Sequence, residues 1–191
     1  MAEIDLNHHF ATPVWVTDII VDNNPLIEFS LDLKSKGPGV DISNIGGWQS
    51  EKIAATESNQ QILGPLVAQI HDLVNNIGTR YCFKKPLRVI DLWININEPG
   101  NFNMVHNHPG AILSGVYYIK SDGSGPLEII RPSADAYFWQ TFTDKSDNKE
   151  TWTGGSYIPK DHRIIIFPAW VDHSVAPCDS QRISLAFNVG F

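Results

Sequence analysis

The sequence has few cysteines and no long apolar run. Its 191 residues contain two cysteines, Cys82 and Cys178, and no CxxC pair, which excludes a disulfide framework and is typical of reduced thiols. No segment approaches the roughly 18 consecutive apolar residues of a membrane span. Residues 1–10 lack the basic and apolar stretches of a signal peptide. We therefore expect a soluble protein of the cytoplasm.

Positive charge is also scarce. There are 14 lysines and arginines against 21 aspartates and glutamates, which gives a formal net charge of −7. The densest basic stretch, KKPLR at 84–88, is too short to form the positive stripe that phosphate contacts require. We expect no nucleic-acid partner and no membrane partner. Hydrophobic residues make up 42% and charged residues 18% of the chain, as in an ordinary globular domain.

Residues 1–86 predict helices and loops after one short strand. The strand is expected over 10–17, and a first helix over about 25–34, where Asn-Asn-Pro provides a start signal. A second helix follows Ser58, because apolar residues recur there at three- and four-residue spacing up to Gly78. Pro65 would kink this helix or mark its true start. The Gly-, Ser- and Asn-rich residues 37–58 predict a loop.

From residue 87 onward, short β-branched and aromatic runs alternate with Gly, Pro, Asn and Asp. This texture indicates a mainly β fold with N-terminal helices, arranged as a double sheet or jelly roll. We expect one domain over 1–191, with helical support and loops in 1–86 and the β core in 87–191. The polar residues 143–156 predict a loop over one end. The predicted strands cover 87–97, 111–119, 127–130, 137–142, 163–167 and 183–189.

Three histidines are candidate metal ligands. His106 and His108 are two residues apart, and on one strand residues i and i+2 point to the same face. His173 follows the apolar run RIIIFP and could supply a third imidazole from a later strand. Together they would form a three-point metal site. The alternative is a polar turn without metal at His106–His108, with His173 at the end of a strand.

An arginine follows the last of these histidines. Arg182 opens the run RISLAFNVG, with Ser184 on its same face, and we expect this strand to be the antiparallel neighbour of the His173 strand. A guanidinium binds a carboxylate bidentately. A metal site beside an anion site fits a metal-chelating dicarboxylate as co-substrate.

Four motifs follow one another in the second half of the chain. They are WIN with a following glycine (Trp93, Asn95, Gly100), HNHPGAILSGVYYI (106–119), FPAWVDHSVAP (167–177) and RISLAFN (182–188). In this order they resemble the Fe(II)/2-oxoglutarate-dependent oxygenases, and within them a family of small oxygenases from bacterial and phage genomes. The resemblance covers about the C-terminal half of the chain.

This resemblance implies a cupin-like double-stranded β-helix that holds Fe(II) at His106 and His173. It also implies that Arg182 and Ser184 bind the C5 carboxylate of 2-oxoglutarate. The implied activity is that of a dioxygenase, usually a hydroxylase, which uses O2 and couples oxidative decarboxylation of 2-oxoglutarate to oxidation of a substrate. The substrate is expected to be a small molecule or a protein side chain.

The third ligand departs from the wider superfamily. The usual triad has a carboxylate two residues after the first histidine, and here His108 holds that position. Matching by position makes the ligands His106, His108 and His173. The alternative is that His108 points at the substrate and that Asp172 completes the triad. Asp172 precedes His173 directly, so on a strand the two side chains would face opposite ways.

Other residues could support the site. Asn95 reaches the cavity if it and Trp93 face inward, and Tyr117 or Tyr118 could donate a hydrogen bond to the co-substrate, Tyr117 being our assignment. Two rival readings keep the β fold without 2-oxoglutarate. One is a three-histidine cupin enzyme, and the other is a cupin-like binding module without turnover. An apolar strand near 10–16 could also pair across a homodimer.

Overall fold

The computed structural model describes residues 11–132 and 152–191, which contain two helices and eleven strands. The helices are α1 (Asn24–Ser35) and α2 (Glu57–Arg80). The predicted strand over 137–142 and residues 143–151 of the predicted loop lie outside the described residues. The strands are β1 (Trp15–Asp18), β2 (Asn44–Ile45), β3 (Trp48–Gln49), β4 (Arg88–Asn97), β5 (Phe102–His106), β6 (Leu113–Lys120), β7 (Leu127–Ile130), β8 (Gly154–Tyr157), β9 (Arg163–Pro168), β10 (His173–Val175) and β11 (Arg182–Gly190).

The strands form two antiparallel sheets. One sheet has six strands in the order β1-β9-β6-β11-β4-β3, and the other has five in the order β2-β5-β10-β7-β8. From β4 to β7 and again from β9 to β11, consecutive strands alternate between the two sheets. That alternation is the topology of a double-stranded jelly roll, so the predicted fold is confirmed. Within the described residues the sheets stay separate and do not close into a barrel.

The helices begin and end where their sequence signals indicate. Helix α1 has Pro25 in its first turn, close to the predicted span. Helix α2 is capped by Thr56, whose hydroxyl accepts a hydrogen bond from the backbone N–H of Asn59 (3.3 Å). Pro65 lies inside this helix and does not mark its start. In the described residues, neither helix combines the length and apolarity that a membrane crossing needs.

The central strands β6, β9 and β11 of the six-stranded sheet are buried on both faces. One face packs against the helices, where Ile94, Phe187 and Ile164 meet Leu66 and Ile70. The other face looks toward the five-stranded sheet. A second apolar cluster lies between the sheets and contains Tyr118, Leu127, Ile129, Ile165, Phe167 and Val171. Polar residues on this inner face are therefore enclosed by the two sheets.

Three short strands come from the first 86 residues, where the sequence predicts one strand with helices and loops. Strands β1 and β3 extend the six-stranded sheet, and β2 extends the five-stranded sheet. Strands β2 and β3 are two residues long, which is too short for an alternating pattern to be detected. Through β2 and β3, the predicted 37–58 loop is fixed against the inner strands.

Tyr117 connects the six-stranded sheet to helix α1. Its side chain is fully buried, and its hydroxyl donates to Oδ1 of Asn23 (2.8 Å) and lies 3.1 Å from Nδ1 of His162. The Asn23 amide in turn donates to the carbonyl of Ile119 (2.7 Å). The hydroxyl thus joins α1, β6 and the loop before β9.

We expect Tyr117→Phe to lower the free energy of unfolding by about 1–3 kcal/mol, because it removes a buried hydroxyl that is the partner of polar atoms in the half-buried Asn23 and His162. Urea denaturation measures this change. Tyr118→Phe is the matched control, since the Tyr118 hydroxyl has no hydrogen-bond partner among the described residues and its loss leaves no protein group unpaired. Equal stability of the parent protein and Tyr117→Phe would show that the hydrogen bonds of the Tyr117 hydroxyl do not stabilise the fold.

Candidate metal centre

A cavity of about 610 Å³ lies between the inner faces of the two sheets. The six-stranded sheet contributes alternate residues of β4, β6 and β11, while the five-stranded sheet contributes residues of β5, β7 and β10. Residues 40–52, which include β2 and β3, supply part of the wall. The cavity lining includes the predicted site residues Asn95, His106, His108, His173, Arg182 and Ser184, together with Trp93.

The three histidines converge in this cavity. His106 ends β5 and His173 begins β10, and the two are direct partners in the antiparallel register. The prediction that His106 and His108 share one strand is wrong, because β5 ends at His106. His108 lies in the turn that follows, where its backbone N–H donates to the carbonyl of Ala169 (2.9 Å). One ring nitrogen of each histidine still lies within 4.8 Å of the others.

Hydrogen bonds to backbone carbonyls set which ring nitrogen is available in two of the histidines. Nδ1 of His106 lies 2.8 Å from the carbonyl oxygen of Met104, and Nδ1 of His173 lies 3.1 Å from that of Val171. A carbonyl oxygen can only accept a hydrogen bond, so each Nδ1 carries the proton. Each Nε2 then presents its lone pair, as a metal-ligating imidazole does.

The electrostatics of the cluster also favour neutral imidazoles. Burial, and then the neighbouring His106, lower the pKa of His108 to about 4 and that of His173 to about 3. Burial lowers the pKa of His106 as well. All three rings are therefore neutral near pH 7, which is the form that binds metal.

The spacing of His108 and His173 suits two bonds to a single metal ion. Nε2 of His108 and Nε2 of His173 are 3.4 Å apart. Two bonds of about 2.1 Å, the length typical of a metal–imidazole nitrogen bond, span this separation. Imidazole nitrogen suits iron among the transition metals. The donor set therefore fits an Fe(II) ion.

Asp172 is placed away from the cluster. Its side chain is exposed, and Oδ1 accepts a hydrogen bond from the Asn107 amide (2.8 Å). His173, the next residue, points into the cavity and is buried, so the two face opposite ways as expected. Among residues 11–132 and 152–191, no carboxylate joins the three imidazoles.

Arg182 and Ser184 share the cavity-facing side of β11. The prediction that their strand neighbours the His173 strand is wrong, because β11 pairs with β4 and β6 in the other sheet. Arg182 therefore faces the five-stranded sheet across the cavity. It is 3% exposed, and Nη1 donates to the carbonyl of Gly125. No carboxylate of the described residues lies within ion-pair distance of this guanidinium.

Neighbouring strands add uncommitted polar groups around Arg182. Asn95 and Asn97 of β4 are the register partners of Ser184 and Arg182. Oδ1 of Asn95 and Nδ2 of Asn97 are buried without a hydrogen-bond partner. Sequence reasoning missed Asn97, although its position two residues after Asn95 puts it on the same face of the strand. This end of the cavity thus contains several polar groups that could form hydrogen bonds with a ligand.

The tyrosine of this site is Tyr118, and the assignment of Tyr117 is wrong. Tyr117 points to the helix side of β6, where its hydroxyl contacts Asn23. Tyr118 lines the cavity, and burial raises its pKa to about 12, so its hydroxyl stays protonated. Two adjacent tyrosines on one strand face opposite sides, and nothing in the run VYYI distinguishes those sides.

The fold and the site together define a class of protein. It is a jelly roll that carries a cluster of three histidines, suited to binding a metal, between its two sheets. Residues 91–188, slightly more than half of the chain, match the model of a family described as "Putative 2OG-Fe(II) oxygenase". The chain belongs to this family of 2OG-Fe(II) oxygenases, whose metal is Fe(II) and whose co-substrate is 2-oxoglutarate. The sequence resemblance is therefore confirmed, and the protein is an oxidoreductase by family.

Solved structures with the same fold include two prolyl hydroxylases. A prolyl-4-hydroxylase of Pseudomonas putida is 13% identical, with a TM-score of 0.61 over 93% of this chain and 92% of that one. The viral collagen prolyl hydroxylase of Paramecium Bursaria Chlorella virus-1, solved with 2OG, is 13% identical, with a TM-score of 0.62 over 92% and 94%.

A third structure is HygX from Streptomyces hygroscopicus, solved with nickel and 2-oxoglutarate. It is 12% identical, with a TM-score of 0.61 over 94% of this chain and 83% of that one. At these identities the likeness shows the fold. No curated protein sequence matches the chain.

Proposed function

We propose that the protein is an Fe(II)- and 2-oxoglutarate-dependent dioxygenase that hydroxylates its substrate. His106, His108 and His173 hold the iron, while Arg182 and Ser184 bind the C5 carboxylate of 2-oxoglutarate. The observation that carries this proposal is the buried Arg182, which has no carboxylate partner among residues 11–132 and 152–191 and shares the cavity of the three imidazoles. A buried charge without a counter-ion is costly, and a dicarboxylate ligand supplies that counter-ion.

The groups around Arg182 suit a carboxylate in particular. Arg182 and the Asn97 amide nitrogen are donors, and the Tyr118 and Ser184 hydroxyls can donate as well. An ionised carboxylate only accepts hydrogen bonds, and its two oxygens can receive several donors at once. A neutral ligand of this size would leave the guanidinium charge uncompensated. The Arg182 end of the cavity, which is rich in hydrogen-bond donors, therefore favours a carboxylate ligand.

The chain's own residues orient the metal ligands and shield part of the centre. Bound Fe(II) supplies the centre at which O2 and 2-oxoglutarate react, giving succinate and carbon dioxide as the substrate is oxidised. The backbone carbonyls of Met104 and Val171 hold the His106 and His173 rings with Nε2 toward the cavity. The Phe167 ring packs on His173, with centroids 4.6 Å apart, and covers one side of the centre.

The substrate is proposed to enter past residues 40–52, on the His108 side of the centre. Trp93 packs beside His108 there, with ring centroids 5.7 Å apart, and Lys52 forms an ion pair with Asp91 (2.8 Å). The proposed substrate is a small molecule or a peptide side chain. Structures of this fold are described with both kinds of bound molecule, a peptide fragment in one case and hygromycin B in another.

Succinate formation tests the proposed reaction. Purified protein given Fe(II), 2-oxoglutarate and air should form succinate slowly even without substrate. The same protein under argon, or with the iron chelated, should form none. Oxygen- and iron-dependent oxidation of an added substrate without any succinate would show an enzyme that does not use 2-oxoglutarate, and would contradict the proposal.

A matched pair of substitutions tests the third ligand. His108→Ala should weaken Fe(II) affinity by about tenfold or more, because one of three protein ligands is lost, whereas His108→Asp should keep iron by restoring the commoner triad. Equilibrium dialysis with Fe(II) under anaerobic conditions measures both. Asp172→Ala is the control and should bind iron as the parent does. If His108→Ala keeps full Fe(II) affinity and Asp172→Ala loses it, Asp172 and not His108 is the third metal ligand.

A further inference from the structure

Ser43 lies against the metal-facing nitrogen of His106. Its Oγ is 3.4 Å from Nε2 of His106, although 63 residues separate them. Ser43 is 7% exposed and lines the same cavity. Its carbonyl accepts a hydrogen bond from the backbone N–H of Met104 (2.8 Å), which ties it to the strand that carries His106. Ser43 lies outside residues 91–188, which match the family.

The hydrogen-bond partners leave one proton for this contact. Nδ2 of Asn103 donates to Oγ of Ser43 (3.1 Å), so the hydroxyl is already an acceptor. The Nδ1 proton of His106 is given to the Met104 carbonyl, so its Nε2 has no proton to donate. The Ser43 hydroxyl proton is therefore the one that points toward His106. In the metal-free protein Nε2 of His106 is the nitrogen acceptor within reach of this proton.

Metal binding removes that acceptor. When Nε2 of His106 binds an ion, its lone pair is occupied, and the Ser43 O–H needs another oxygen in the cavity. The backbone tie to Met104 and the Asn103 amide keep the hydroxyl in place. A buried donor without an acceptor is unfavourable, so a ligand oxygen at the metal is the partner that satisfies it.

We propose that the Ser43 hydroxyl donates a hydrogen bond to an oxygen atom that 2-oxoglutarate presents to the metal beside His106. Ser43 is then a binding residue for the 2-oxo acid, and Asn103 is the residue that positions it. This inference rests on the proposed function. It also assigns the segment around β2 a part in binding the co-substrate as well as in forming the cavity wall.

Another serine of the same segment provides a matched control. Ser50 also lines the cavity, but its hydroxyl donates to the carbonyl of Glu51 (2.7 Å) and accepts from the backbone N–H of Ile94 (2.9 Å). Both functions of this hydroxyl are used inside the protein, so no proton is left for a ligand. Removing it should not alter binding of a 2-oxo acid.

The test is an anaerobic titration of the Fe(II)-loaded protein with 2-oxoglutarate, followed by the visible charge-transfer band of the chelate. In Ser43→Ala, affinity should fall about tenfold, as expected when a hydrogen bond to a charged acceptor is lost. The band should move to shorter wavelength, because a lost donor raises the energy of the ligand orbital that receives the electron. Ser43→Thr keeps the hydroxyl and should retain the parent wavelength. Ser50→Ala should match the parent in affinity and wavelength.

Iron content separates the possible outcomes. Ser43→Ala should bind Fe(II) within about twofold of the parent, because Ser43 contacts the ligand and not the metal. Parent-like affinity and wavelength in Ser43→Ala would overturn the inference, as would loss of iron, which would show that Ser43 acts only by holding His106. A parent protein that binds Fe(II) but shows no band with 2-oxoglutarate would instead overturn the proposed function.

Discussion

Replacing Arg182 with alanine is expected to weaken 2-oxoglutarate binding by roughly 30-fold to several thousand-fold. Loss of one partner of a buried, hydrogen-bonded charge pair costs about 2–5 kcal/mol, which corresponds to that range. Iron binding should be unchanged, because Arg182 lies across the cavity in the sheet opposite His106 and His173. No protein carboxylate of the described residues depends on this guanidinium, so the substitution leaves no acid unpaired.

Calorimetric titration with 2-oxoglutarate in the presence of a redox-inert divalent metal measures the change. Arg182→Lys should recover part of the affinity, because an ammonium keeps the charge but cannot match the fork of the guanidinium. Succinate formation should be lost in Arg182→Ala. If Arg182→Ala binds 2-oxoglutarate as well as the parent does, the co-substrate assignment is wrong, and the three-histidine cupin becomes the better interpretation.

The second large effect is expected at the metal. His106→Ala and His173→Ala should each lose most bound iron on desalting, because only two of the three protein ligands remain and Fe(II) affinity falls at least as far as in His108→Ala. Metal content after anaerobic reconstitution and desalting measures the loss. His71→Gln is the control, since Nε2 of His71 accepts a hydrogen bond from the backbone N–H of Val89 (3.0 Å) and lies on α2, outside the cavity. Near-stoichiometric iron in either alanine variant would exclude that histidine as a ligand.

Several features could be predicted because their signals are local. Helix α2 follows from its apolar periodicity and its end near Gly78, and the strands of the core follow from β-branched runs between turn residues. The alternation of side chains along a strand correctly placed Asn95 beside Trp93, Ser184 beside Arg182, and His173 opposite to Asp172.

Other features depend on contacts between distant strands and could not be predicted in this way. Arg182 was expected on the neighbour of the His173 strand because consecutive strands usually pair. In a jelly roll, consecutive strands often belong to different sheets, so β10 and β11 are separated by the cavity. The two faces of β6 are both buried, so composition alone could not choose between Tyr117 and Tyr118. The contact of Ser43 with His106 arises from the pairing of β2 with β5.

The central claim is that one cavity holds both the metal and 2-oxoglutarate. Its most direct test is the visible absorption spectrum of the Fe(II)-loaded protein with 2-oxoglutarate, recorded without oxygen. A weak charge-transfer band should appear when metal and 2-oxoglutarate are both present, saturate at one equivalent, and be absent with succinate. His173→Ala should show no band at the same concentrations. A protein that retains Fe(II) fully but gives no band at saturating 2-oxoglutarate would contradict the assignment.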